Sequence, residues 1–138
     1  MLSSKGAPPM KHSWIVVATL LCLGCQEQLP TQTDTVYDPI TGDTRQEIVS
    51  ITRFAGVTIM FNHTRQLIEL DNGNDVAVRV RIEREDNTIL ADKWIIFAGW
   101  DASKSVRFNR GDTVTITVWH LNLLLTDPIR EFSETVRL

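Results

Sequence analysis

Asp71-Asn72-Gly73-Asn74-Asp75 presents carboxylate and amide oxygens at close spacing, the ligand type a hard cation such as Ca²⁺ prefers. An EF-hand loop needs an oxygen ligand at its third position, and Gly73 stands there, so the segment reads as a polar hairpin turn. His63 and His120 are the only imidazoles beyond His12, and Ser50, Ser103, Ser105 and Ser133 are the accompanying hydroxyls. None of these serines lies in a Gly-x-Ser-x-Gly elbow, so a catalytic triad would have to assemble in space alone. Trp94, Trp100 and Trp119 are a heavy aromatic load, and exposed indole rings stack on sugars, which makes a glycan the ligand these residues suit. Arg110-Gly111-Asp112 matches the integrin tripeptide but reads as turn chemistry before a strand, and Asn62-His63-Thr64 fits the N-glycosylation sequon. No catalytic constellation, cofactor motif or metal-ligand spacing emerges. The expectation is a protein that is not an enzyme, with no catalytic residue, no metal and no cofactor.

The two cysteines, Cys22 and Cys25, both lie near the N-terminus. Everything after them lacks a thiol, so that part has no disulfide, Cys-type zinc site or thiol nucleophile of its own. Their C-x-x-C spacing needs a folded helix start to become a redox pair, and here it sits in an apolar run. That run, Trp14 to Gly24, is uncharged and reaches about 17 Å as a helix, against roughly 30 Å of membrane hydrocarbon. It is too short to span and fits the core of an export signal preceded by Lys5, Lys11 and His12.

The end of the run, Leu21-Cys22-Leu23-Gly24-Cys25, resembles the lipobox of bacterial lipoproteins. The resemblance covers residues 1–25 only, and Cys22 stands where that family usually has an aliphatic residue. It implies a signal peptide over residues 1–24, cleavage between Gly24 and Cys25, and lipidation of Cys25. It also implies anchoring in a bacterial envelope membrane by lipid rather than by a spanning helix. Gln26 is not the Asp associated with inner-membrane retention, so the resemblance favours the outer membrane. Behind a bacterial-looking export signal the Asn62-His63-Thr64 sequon carries no function.

The elements behind this address divide into a tether and a domain. Residues 25–46 are polar, without apolar period, and broken by Pro30, Pro39 and Gly42; they read as a flexible tether. Tyr37 and Ile40 offer the alternative of an edge segment laid on the domain. From residue 47 to 138 the pattern is β. Val76, Val78, Val80 and Ile82 alternate with Ala77, Arg79, Arg81 and Glu83. Val114, Ile116 and Val118 alternate with threonines, and Val57, Ile59 and Phe61 with Thr58, Met60 and Asn62. Trp94-Ile95-Ile96-Phe97-Ala98 reads as a strand covered on both faces, and Val106 with Phe108 as a short strand. The prediction is an all-β fold, a small antiparallel β-sandwich of seven or eight strands, immunoglobulin-like in general character.

Composition agrees with a packed domain: 43% of the 138 residues are hydrophobic and 22% charged. The formal net charge is −3, and the first 25 residues contain two lysines and no acid, so the acidic excess belongs to the remainder. A phosphate backbone is repelled by that balance, which argues against nucleic acid. Trp119, Leu121, Leu123, Leu124, Leu125 and Phe132 crowd together late in the chain, more apolar bulk than one strand face hides. Trp100, Trp119, Leu123, Leu125 and Phe132 are therefore the candidate interaction residues, for a protein partner of an envelope assembly or for a glycan. Whether Leu121 to Leu125 is strand or helical turn stays open at this level.

Overall fold

A computed structural model describes residues 27–138, so Gly24, Cys25 and the rest of the signal-like segment lie outside the described residues. Ten strands follow in order: β1 Glu27–Gln28, β2 Thr31–Tyr37, β3 Thr44–Phe54, β4 Val57–Asn62, β5 Leu67–Asn72, β6 Val78–Arg84, β7 Ile89–Ile96, β8 Asp101–Ser105, β9 Thr113–Leu121 and β10 Pro128–Arg137. They form two five-stranded sheets, β1-β10-β9-β6-β7 and β2-β3-β4-β5-β8. No helix long and apolar enough to cross a membrane occurs among the described residues.

The period-2 segments behave as alternation requires. Val78, Val80 and Ile82 of β6 sit opposite His120, Val118 and Ile116 of β9 and are fully buried with Val118 and Ile116. Val57, Ile59 and Phe61 of β4, with Ile68 and Leu70 of β5, turn inward from the other sheet into the same apolar cluster. Both inner faces thus share one core, a sandwich-like arrangement. Each such Val, Ile or Phe contributes roughly 1.5–3 kcal/mol by leaving water.

Three expectations are corrected. There are ten strands, not seven or eight, because residues 27–46 are not a flexible tether. β2 pairs with β3 from Thr31↔Ser50 to Tyr37↔Thr44 as a hairpin closed by residues 38–43. Its polar sequence conceals it because, beyond the reach of β4, both faces of this ribbon meet water. The sheet is not purely antiparallel: β1 runs parallel to β10, with Glu27 opposite Val136 and Leu29 N–H donating to the Arg137 carbonyl at 2.9 Å. Leu29 and Pro30 then carry the chain from one sheet to the other, Pro30 falling where no ladder donor is needed.

Local readings also change. Asn72-Gly73 is not a hairpin turn; residues 73–77 cross from β5 in one sheet to β6 in the other. β7 is an edge strand, so Ile95 and Phe97 are exposed rather than covered. Its ladder with β6 is irregular beside Lys93, which takes a left-handed φ of 53° and re-aims the strand. Val106 and Phe108 belong to the connection between β8 and β9, where Phe108 still plugs the core.

Candidate interaction surface

The registers gather four connections at one end of the molecule. Val57 is opposite Asn72, Asp71 opposite Asp101, Val78 opposite both Ile96 and His120, and Leu121 opposite Pro128. Residues 55–56, 73–77, 97–100 and 122–127 therefore share that end. The chain joins the fold near the other end, where Glu27 meets Val136. Val136 and Pro128 are eight residues apart on β10, about 26 Å at strand rise.

β9 stops at Leu121, whose N–H donates to the Ala77 carbonyl at 3.0 Å, and the chain turns rather than continuing the strand. Asn122 ties the turn. Its N–H donates to the Asp127 carbonyl, its carbonyl accepts from Leu125 N–H, and its Oδ1 accepts from Thr126 N–H. The result presents Leu123 and Leu124 outward, 98% and 78% exposed. Leu125 is half-buried with a φ of +60°, a left-handed conformation that costs a branched residue about 1–3 kcal/mol. Ile129, just beyond Pro128, is also exposed. The hydrogen-bonded turn closes the β9–β10 connection and leaves two leucines in water, an exposed apolar feature at this end of the domain.

The other candidates separate. Trp119 lies on the outer face of β9, half-buried under the Arg79 guanidinium at 4.7 Å, its Nε1–H donating to Glu131 Oε1 at 2.7 Å. Trp100 belongs to the loop before β8 in the opposite sheet, 63% exposed, with Phe97 edge-on at 5.5 Å. The two indoles do not share a platform. Trp94 packs against the core. Phe132 faces inward from β10 and stacks on His120 at 4.9 Å. Sequence reasoning chose Leu123 and Leu125 but not Leu124 or Ile129; the proline at 128 was the available sign that the leucine run bends outward.

Trp100 does border a groove of about 800 Å³ on the outer face of its sheet. Ile51, Thr58 and Met60 form the floor, and Glu69, Asp101 and Ser103 line the sides.

The polar candidates are absorbed by the fold. Ser50 Oγ and His63 Nε2 are 2.8 Å apart, the distance of a nucleophile and its base. Ser50 is fully buried, however, and the buried His63 Nδ1 has no hydrogen-bond partner, so no carboxylate orients the ring. Burial, helped by Arg110 and opposed by Asp112, lowers the His63 pKa. His120 Nε2 pairs with the Ala55 carbonyl at 2.9 Å, tying the two sheets. Asn72 turns inward, its Nδ2 donating to the carbonyls of Val76, Ile96 and Phe97. Among the described residues no three His, Cys, Asp or Glu side chains are grouped to hold a metal.

Glu47 is a buried carboxylate near the far end. Arg45 Nε donates to it at 2.7 Å, Asn62 Nδ2 at 2.9 Å, and Arg65 lies 3.9 Å away. The bond from Arg45, against the opposing cost of burial and with help from Asn62, holds its pKa below the usual glutamate range. This network braces the root of the β2–β3 ribbon.

No known family matches the chain, and no curated protein or solved structure is similar to it.

Proposed function

We propose that this chain is a non-enzymatic, lipid-anchored envelope protein whose β domain is a structural or protein-interaction module of a larger surface or periplasmic assembly. The observation that carries the reading is the Asn122-tied turn with Leu123 and Leu124 in solvent. Its position matters. The lipobox-like segment ends at Cys25, two residues before β1. A lipid there sets the end near Glu27 against the membrane, and the leucine turn, some 26 Å along β10, faces away from it. A partner protein, rather than lipid, is then the natural cover.

The connectivity supports an immunoglobulin-like sandwich as the finer description. β5, β6, β8, β9 and β10 follow the B, C, E, F and G strands of such folds: β5 pairs β8, β6 pairs β9, β9 pairs β10, and the chain changes sheets between β5 and β6 and between β8 and β9. The leucine turn then occupies the F–G loop, a common recognition site on that scaffold.

A second reading is glycan binding. Trp100 at the edge of a groove with Glu69, Asp101 and Ser103 combines a stacking ring with hydrogen-bonding groups.

Two measurements test the proposal. Palmitate labelling and mass spectrometry of the mature N-terminus should find an acylated Cys25, and Cys25→Ser should abolish both label and cleavage. Site-specific photo-crosslinking from position 124 in the producing cell should trap one discrete envelope protein, lost on Leu123→Ser. Labelling that persists in Cys25→Ser, or crosslinks to lipid alone, would defeat the respective half of the reading.

A further inference from the structure

Among the described residues β1 covers β10 only at Val136 and Arg137, and no other strand pairs with the outer edge of β10 over residues 128–135. The direction of its free hydrogen-bonding groups is known. The Arg137 carbonyl accepts from Leu29, so Arg137 points away from β9, and strand alternation turns Thr135, Ser133 and Glu131 the same way. Phe132 and Glu134, half-buried, face the inner side with Arg130, which is exposed.

The edge is self-complementary. Arg130 and Glu134 lie symmetrically about Phe132 with opposite charge. Among the described residues neither has an ion-pair partner within 4.0 Å; Glu134 Oε1 accepts only from Thr52 Oγ1, at 3.0 Å. Charged side chains ordinarily blunt an exposed edge. In one antiparallel register they do the opposite. With Phe132 on a two-fold axis, Arg130 faces Glu134 of the second copy and Glu134 faces its Arg130. Glu131 and Ser133 then exchange N–H···O=C bonds across the axis, since both already point outward. Phe132 meets Phe132 as a non-hydrogen-bonded pair, the kind with the closest Cα approach, about 4.5 Å. The pairing ends on one side where β1 occupies Val136 and on the other at Pro128, which has no N–H to offer.

We propose that a second copy of this chain pairs along β10 in this register, giving a two-fold dimer with one continuous sheet from β7 of one copy to β7 of the other. The inference is independent of the leucine turn: it concerns a different surface and a different partner.

The test uses the full chain in mild detergent. Sedimentation equilibrium up to about 100 µM should show a monomer–dimer equilibrium. Arg130→Glu, at an exposed position, should weaken it by about tenfold or more, because like charges then face each other twice. Glu134→Arg should do the same, and the double reversal Arg130→Glu with Glu134→Arg should restore association to within about threefold of the original. Glu134→Gln retains an acceptor for Thr52 and isolates the charge. Hydrogen exchange should show amides of Glu131, Ser133 and Thr135 gaining protection with concentration, while those of Phe132 and Glu134 stay protected throughout. A chain monomeric over the whole range overturns the dimer. A double reversal no tighter than Arg130→Glu alone, or edge amides indifferent to concentration, overturns the register.

Discussion

Asn72 Nδ2 lies 3.1 Å from the carbonyl oxygen of Ile96, joining the last residue of β5 in one sheet to the last of β7 in the other. The same amide reaches the carbonyls of Val76 and Phe97, and Asn72 Oδ1 accepts from Asn74 N–H, all at a site without solvent exposure. One side chain thus links carbonyls at the ends of the two sheets. It also positions the loop that carries Trp100, whose carbonyl accepts from Asn72 N–H at 2.9 Å.

Asn72→Ala should destabilise the domain by about 3 kcal/mol, because buried acceptors lose their donor. Asn72→Asp should be worse despite its matching shape, since it sets a carboxylate against three carbonyl oxygens. Urea unfolding checks the order. An Asp variant more stable than the Ala variant would sink the assignment of Nδ2 and Oδ1.

Glu47 makes stability pH-dependent. Its folded pKa is depressed, so its contribution is present above the unfolded value near 4.5 and is lost as pH falls through the folded value. Glu47→Gln should cost about 2 kcal/mol at neutral pH, as Arg45 and Arg65 lose their anion. It should also flatten the decline in urea midpoint from about pH 5 to pH 3 relative to the native chain. Parallel declines in the two proteins would place the acid sensitivity elsewhere.

Leu123→Ser and Leu124→Ser should each change stability by no more than about 0.5 kcal/mol, because neither side chain is buried. If the proposed docking through this turn holds, Leu123→Ser should also lose the crosslink from position 124. A stability loss as large as a core truncation would mean that the turn packs onto the domain instead of presenting a surface.

Val80→Asp should abolish folding, since a carboxylate without a partner enters a core with no exposure and a domain has only about 5–15 kcal/mol to lose. Arg79→Ser on the alternate face should cost about 0.5–1 kcal/mol, the worth of its stacking on Trp119. Circular dichroism with thermal melts separates the two, and equal damage would place both faces in the core.

The inner strands were legible because their physics is local. In Val78 to Ile82 and Val114 to Val118, alternation sends every second side chain to one face, and burying that face fixes the register. β2 was not legible for the converse reason. Thr31 to Tyr37 is mostly exposed, so no burial imposes an apolar period, and its strand state comes from pairing with β3 alone.

Asn72-Gly73 shows a second limit. The dipeptide specifies that the chain turns, not whether the next strand lies beside the last or across the core; here the chain crosses, and Asn72 meets three carbonyls at the crossing. The late crowding of leucines likewise foretold more apolar surface than one strand face could hide. Which leucines remain in water was decided by the Asn122 turn, and the approach of Ser50 to His63 by β3 pairing with β4. Composition and period are properties of neighbours along the chain, and they determine what must be buried. Exposure and free edges depend on residues distant in sequence, and only the packed sheets settle them.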